Sequence, residues 1–116
     1  MAIGAGGPWQ LFTSFNGATS ASVKQSHGAI RSCYAENRHS SKQYLQIFDK
    51  VGVPEAGEIP RISVPMPAGG GGFVLDDTLW GDEGQGFQRG LAFGISSTVE
   101  TYTEGNASVS IHIWYF

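Results

Sequence analysis

The sequence predicts an all-β fold: a single-domain antiparallel β-sandwich or jelly-roll-like arrangement with an extended N-terminal arm. The length of 116 residues fits one domain with one core. Short segments alternate apolar and polar residues with a period of two, which is typical of strands with one buried face. Turns rich in glycine and proline separate these segments at intervals of about ten residues, as in two-sheet β-domains. We assign residues 1–17 to the arm or to an extra strand, and residues 18–116 to the sandwich.

The N-terminal segment allows two interpretations. Four bulky apolar residues lie among its glycines and its proline: Trp9, Leu11, Phe12 and Phe15. Disordered tails carry few aromatic residues, so we expect this segment to be ordered. It forms either an arm that contacts the domain or a neighbouring subunit, or an N-terminal strand of the same domain.

Residues 19–41 predict a short edge strand, a longer strand and a turn. The run at residues 19–26 is polar with a single valine, which indicates an edge position. In the next segment Ile30, Ser32 and Tyr34 alternate with their neighbours, so we expect these three side chains on one face of a strand. Residues 38–41 are predicted to form the turn.

Residues 43–67 predict two strands joined by a loop, and the other strands are expected to be arranged around this pair. Leu45 and Ile47 lie on one face of the first strand. Gln46 and Phe48 lie on the other face, which can meet solvent or a partner. Pro65 has no N–H to donate within the second strand, which places that strand at a sheet edge or beside a bulge.

Residues 69–116 predict a loop and three strands. Residues 69–72 are four consecutive glycines, whose backbone entropy favours a loop. Brief strands are expected at residues 73–75 and 91–95. The final strand, residues 108–116, has Val109, Ile111 and Ile113 on one face and Trp114 and Phe116 on the other. Only one face of a strand is inside a two-sheet sandwich, so we expect the other set to meet a loop, an arm or another subunit.

The amino-acid composition argues against several classes of function and site. The net charge of −3 and the scattered distribution of seven Lys and Arg residues argue against nucleic-acid binding. Cys33 is the single cysteine, which excludes an intrachain disulfide and a thiolate metal site. No segment approaches the ~18 apolar residues of a membrane helix, and the first residues lack the pattern of a secretory signal. Synthesis in the cytoplasm and no membrane partner are therefore expected.

No catalytic constellation is visible. His27, His39 and His112 lie in separate elements without metal-ligand spacing. The chain has no Gly-x-Ser-x-Gly elbow, and residues 69–72 lack the Lys and Ser or Thr that follow a phosphate loop. We predict a protein that is not an enzyme, with no catalytic residue, metal ligand or cofactor.

An acidic segment surrounds the second tryptophan. Asp76, Asp77, Asp82 and Glu83 flank Trp80, and such a group could bind Ca2+ or hold a sugar against the indole ring. The spacing matches no Ca2+ loop. We expect a solvated acidic turn with Trp80 packed onto the sandwich.

Residues 28–116 resemble a group of small virion proteins of tailed bacteriophages. The resemblance rests on a strand that ends near Asp49, a loop of Val, Pro and Gly, and the pattern Ile-Pro-x-x-Ser-Val-Pro-x-Pro-Ala-Gly-Gly from Ile59. It continues with Gly-Leu-Ala-Phe-Gly-Ile-Ser-Ser-Thr from Gly90 and a short strand at the C-terminus. Residues 1–27 lie outside it. The family supplies no catalytic residues.

The resemblance implies a capsid decoration (cement) protein, or another head or tail accessory protein, made in the host cytoplasm and carried on the outer capsid surface of the virion. Its partners would be the major capsid protein and further copies of the chain. Prolines 60, 65 and 67 would block open-ended strand pairing, which favours a closed trimer, with a dimer as the alternative. The expected contact residues are Trp9, Leu11, Phe12, Phe15, Trp80, Trp114 and Phe116. The alternative functions are a tail or surface adhesin that binds host glycan, and a neck or tail component.

Overall fold

The computed structural model describes residues 10–15, 19–69, 71–75 and 85–116. Nine strands run through these residues: β1 (Gln10–Phe15), β2 (Ser20–Lys24), β3 (Gly28–Asn37), β4 (Gln43–Phe48), β5 (Ile62–Met66), β6 (Gly71–Leu75), β7 (Gln85–Phe87), β8 (Leu91–Ser96) and β9 (Val109–Tyr115). They contain no helix. Every pairing between them is antiparallel.

The strands form two packed sheets with the connectivity of a jelly roll. Sheet A has the order β1-β9-β3-β6, and sheet B has the order β2-β8-β4-β5. Strands β6 and β7 lie one after the other along the same edge of β3, because β6 pairs with the end of β3 and β7 pairs with its start. Taken as one interrupted strand, they complete the two four-stranded sheets of a jelly roll. The predicted all-β sandwich is confirmed.

The core lies between the sheets. Its buried members are Ile30, Cys33, Ala35, Leu45, Ile47, Met66, Phe87, Leu91, Phe93, Ile95, Val109, Ile111 and Ile113. Burial of each larger side chain contributes about 1.5–3 kcal/mol before the cost of ordering the chain. The predicted inward face of the last strand is confirmed.

A β-bulge in β3 overturns the expected faces of that strand. Ile30 is opposite Tyr115 and Ser32 is opposite Trp114, so Arg31 is an extra residue in β3. The bulge moves Ile30 to the core face, whereas Tyr34 lies on the outer face and is 38% exposed. The expectation that Ile30 and Tyr34 share one face was therefore wrong, because an inserted residue reverses the phase of every residue after it.

The glycine run is only partly a loop, contrary to the expectation for residues 69–72. Gly71 and Gly72 belong to β6 and pair with Asn37 and Glu36. Their backbone groups join the ladder of a long neighbouring strand, and this tertiary pairing outweighs the low strand propensity of glycine. Gly69 remains in the turn, with a positive φ of 83°.

The edge positions of β2 and β5 are as predicted, but the outer face of sheet B is covered. The side chains of Gln46 and Phe48 are buried there, although this face was expected to meet solvent or a partner. The β8–β9 loop, residues 97–108, covers it: Tyr102 packs edge-on against Phe48 with ring centroids 6.0 Å apart. Gln46 Nε2 lies 2.9 Å from the carbonyl oxygen of Thr98 and donates to the inside of the same loop. The chain itself therefore supplies the partner of this face.

Candidate interaction surface

The outer face of sheet A carries exposed apolar side chains. Leu11 of β1 is opposite Trp114 of β9, and Tyr34 of β3 is opposite His112 of β9. Leu11, Trp114 and Tyr34 are 45%, 44% and 38% exposed, and the rings of Tyr34 and His112 have their centroids 6.0 Å apart. We call these four residues, Leu11, Tyr34, His112 and Trp114, the sheet A outer face. They span three adjacent strands.

The two sheets differ in what covers them. The β4–β5 loop (residues 49–61) and the β8–β9 loop pack together over sheet B, where Tyr102 N donates to the carbonyl oxygen of Glu58 and Gly57 N donates to that of Tyr102, both at 2.8 Å. Both of the long loops that the structure describes therefore cover the outer face of sheet B. Among the residues whose side chains the structure describes, the exposed large hydrophobic ones that lie in a strand, rather than in a loop, are Leu11, Tyr34 and Trp114.

An ion pair lies at one end of this side of the sheet. Arg38 Nη1 is 3.2 Å from Glu36 Oε1 and also donates to Ser110 Oγ. Both ion-pair partners are about one-third exposed, so solvent screens the pair and it contributes little to stability. The pair brings the opposite charges of Arg38 and Glu36 together at the end of β3, beside Ser110 of β9.

The seven contact residues expected from the sequence have different positions. Leu11 and Trp114 lie on the sheet A outer face. Phe12 instead points into the sandwich, where its ring meets that of Phe93 edge-on at a centroid distance of 5.5 Å, because it is one residue out of phase with Leu11. It is thus placed in the core and not on a docking surface.

Of the other expected contact residues, Phe116 and Phe15 lie away from the centre of this surface, and the remaining two are not among the residues that the structure describes. Phe116 is partly buried, exchanges backbone hydrogen bonds with Ala29 at 3.1 Å, and has Lys24 Nζ 5.6 Å from its ring centroid. Phe15 is the last residue of β1, opposite Ser110. Trp9 and Trp80 lie outside the described residues, as does the acidic segment around Trp80.

Tyr34 and His112 were not among the contact residues predicted from the sequence. His112 shares its face of β9 with Trp114, and that alternation was visible in the sequence. Tyr34 could not be placed from alternation alone, since the bulge at Arg31 decides its side. Only the pairing of β3 with β9 locates the bulge.

A cleft opens at the end of the sandwich where the β2–β3 loop meets β7. It has a volume of about 530 Å3 and is lined by His27, Gly28, Arg61, Gly86, Phe87 and Gln88. The Arg61 guanidinium lies 5.0 Å from the ring centroid of Phe87, in cation–π geometry. The cleft therefore offers one cation, an imidazole and an amide around a buried aromatic ring.

Asp49 fixes one wall of this cleft. Its Oδ1 accepts from Arg89 N at 2.8 Å and Gly90 N at 3.3 Å, and its Oδ2 accepts from Gln88 N at 3.2 Å. Partial burial raises the pKa of Asp49, but the three N–H groups and the Arg61 charge together lower it further, so the net pKa lies below the ordinary value. The carboxylate thus holds the β7–β8 turn in shape as an anion.

The described residues contain few reactive groups. Cys33 is buried in the core, and this burial raises the pKa of its thiol to about 12. The thiol is therefore not a nucleophile at neutral pH. No three His, Cys, Asp or Glu side chains in residues 10–15, 19–69, 71–75 and 85–116 lie close enough to hold a metal ion. No helix able to cross a membrane is present in this part of the chain.

No protein family, curated protein or solved structure matches this chain.

Proposed function

We propose that the chain is a non-enzymatic structural protein of a bacteriophage virion. It acts as a capsid decoration (cement) protein that binds and stabilises the lattice of the major capsid protein from the outer capsid surface. The observation that carries the proposal is the sheet A outer face, where Leu11, Tyr34 and Trp114 stay exposed although both long described loops cover the other sheet.

The composition of this surface supports binding to protein. Tyr and Trp are enriched at the centres of protein interfaces, where their rings bury much area at a low entropic cost. Burial contributes about 25 cal/mol per Å2 of apolar area, although much of that gain is offset by lost freedom on association. A single small face gives modest affinity. Many copies on a repeating lattice would still reinforce the shell, since each copy joins neighbouring subunits.

The chain's resemblance to virion accessory proteins supplies the kind of partner. It covers residues 28–116, which include β3 and β9 and hence Tyr34, His112 and Trp114. A low share of charged residues, 15%, also suits a surface that is packed against other subunits.

The test is binding to capsid shells that lack the protein. We expect Trp114→Ser to weaken binding by about 2 kcal/mol or more, roughly thirtyfold in Kd, because tryptophan truncations at interface centres have this effect. Ile59→Ser is the matched control: Ile59 is 81% exposed in the β4–β5 loop, away from sheet A, and its loss should leave Kd unchanged. Cosedimentation of protein with shells measures both.

Particles that lack the protein should assemble but lose infectivity on heating sooner than complete particles, because cement acts on a formed lattice. Virions should carry hundreds of copies by quantitative mass spectrometry. A few copies per virion would instead indicate a neck or tail component. Equal shell binding by the Trp114 and Ile59 variants would contradict the role of the sheet A outer face.

The cleft supports a second candidate function, binding of host glycan by a tail or surface adhesin. Arg61, His27 and Gln88 place polar groups around one opening, which suits the hydroxyl groups of a sugar. A glycan array tests this function. Hits that Arg61→Ala abolishes and Trp114→Ser leaves intact would favour the adhesin, particularly if particles without the protein keep their heat resistance but fail to adsorb to cells.

A further inference from the structure

The four sheet edges are not equally protected against pairing with another chain. In sheet B, β5 contains Pro65, and β2 contains a bulge between Ser22 and Lys24. In sheet A, the far edge is interrupted where β6 gives way to β7. Proline, bulges, lysine and short strands are the devices by which proteins prevent edge pairing.

Strand β1 has none of these devices. Its sequence, QLFTSF, contains no proline, glycine or charge. Among the described residues it pairs only with β9. An uncharged and regular strand of six residues at the edge of a sheet can accept another strand.

The hydrogen-bond pattern shows which β1 residues face outward. Phe116 and Ala29 exchange both of their N–H···O bonds at 3.1 Å, and Arg38 N donates to Ser108 O at 2.9 Å. Even-numbered residues of β9 therefore direct their backbone groups to β3, and odd-numbered residues direct theirs to β1. Gln10, Phe12 and Ser14 are the partners of those odd-numbered residues.

It follows that residues 11, 13 and 15 direct their N–H and C=O groups away from the sheet. We infer that two copies of this chain pair through β1, antiparallel, with Thr13 of each copy on a two-fold axis. In this register residue 13 is opposite residue 13 and residue 11 is opposite residue 15, so all three outward residues exchange bonds with the second copy. Both outer faces remain on the same side of the joined sheet.

A second copy is the occupant that the edges favour. Antiparallel pairing of a strand with itself is isologous and closes at two copies, and the protected edges of the other strands prevent further growth. This gives a dimer instead of the trimer expected from the sequence. The joined sheet A contains two adjacent copies of the sheet A outer face, so a partner protein would meet twice the apolar area. The dimer itself requires no partner.

Proline substitution separates edge pairing from folding. Thr13→Pro removes an outward N–H, and edge strands tolerate proline there. Ser14→Pro removes an N–H that bonds to β9 and is the control for damage to the fold. Sedimentation equilibrium of the full chain should give twice the 12.4 kDa monomer mass for the wild type and the monomer mass for folded Thr13→Pro. Ser14→Pro should instead lower the Tm.

A cysteine variant keeps the test decisive if Thr13→Pro does not fold. Hydrogen-bonded antiparallel partners have their Cα atoms about 5.5 Å apart, within the range of a disulfide. Thr13→Cys should therefore form a disulfide-linked dimer on mild oxidation, whereas Val99→Cys, at an exposed loop position, should not. The buried Cys33 does not compete.

A wild-type monomer at high micromolar concentration would overturn the inference. So would an oligomer that folded Thr13→Pro leaves intact, or a Thr13→Cys variant that forms no more disulfide than Val99→Cys. None of these measurements uses capsids or glycans, so their outcome is independent of the proposed function.

Discussion

Gly94 tests whether the loop layer over sheet B is as tightly packed as the structure indicates. A Cβ atom at this position of β8 would lie 2.5 Å from Tyr102 Cε1 and 3.0 Å from Pro54 Cγ. We expect Gly94→Ala to push the tyrosine ring outward, away from Phe48. The N–H···O bonds that link Tyr102 to the β4–β5 loop would be strained as well.

The expected cost follows from two opposing effects. Overpacking costs about 1–3 kcal/mol, whereas replacing glycine by alanine stabilises by about 0.4–1 kcal/mol through the unfolded chain. The net loss should be about 1–2 kcal/mol, or roughly 4–10 °C in Tm for a domain of this size. Urea unfolding followed by tryptophan fluorescence measures the change, with an unaltered m-value.

Two controls isolate the contact. Gly86→Ala lies in open space without a positive φ, so it should be neutral or slightly stabilising. In a Tyr102→Ala background, Gly94→Ala should lose most of its cost, because the ring that it meets is gone. An equal cost in both backgrounds would refute the packing argument.

Three further results are expected. Ile111→Asp should abolish soluble protein, because Ile111 is 1% exposed and an unpaired carboxylate would enter the core; an unchanged Tm would show that the faces of β9 are reversed. Asp49→Asn should cost about 1 kcal/mol at neutral pH. Because folding lowers the Asp49 pKa, its stabilisation is complete above the ordinary pKa of 3.8 and is lost as pH falls through the folded pKa, so acid titrations of stability for the variant and the wild type should converge. Cys33 should react with a thiol reagent only on unfolding, and fast labelling of the native chain would contradict its burial.

Local sequence patterns predicted where the strands lie better than they predicted which segments pack against each strand. The alternation in β9 predicted both its faces, and the lone proline in β5 predicted an edge, because each depends only on residues within the strand. The direction of Phe12 could not be chosen, since Leu11 and Phe12 are both apolar neighbours. Which of them faces the core depends on the register with β9, a strand at the other end of the sequence.

The missed features all depend on distant segments. The bulge at Arg31 and the pairing of Gly71 and Gly72 are set by neighbouring strands. The burial of Gln46 depends on a loop fifty or so residues later, whose carbonyl oxygens accept from its amide. The alternation within β4 is the same whether a polar side chain is buried under a loop or exposed to water. The sheet A outer face was half predicted for the same reason: β9 alone indicates Trp114, and only pairing adds Tyr34.

The jelly-roll order also constrains when the chain can fold during synthesis. Strand β9 lies between β1 and β3 in sheet A, and β8 lies between β2 and β4 in sheet B, so each is translated after both of the strands that it separates. Gln10 and Tyr115 touch across 105 positions of sequence. A ribosome-bound chain from which β9 has not yet emerged would leave β1 and β3 unjoined and would expose Phe12 and Ile30 to water. The joining of β1 to β3 through β9 in sheet A must therefore follow the emergence of β9 from the exit tunnel, and such long-range closure is slow. Until then the emerging chain would be a substrate for chaperones.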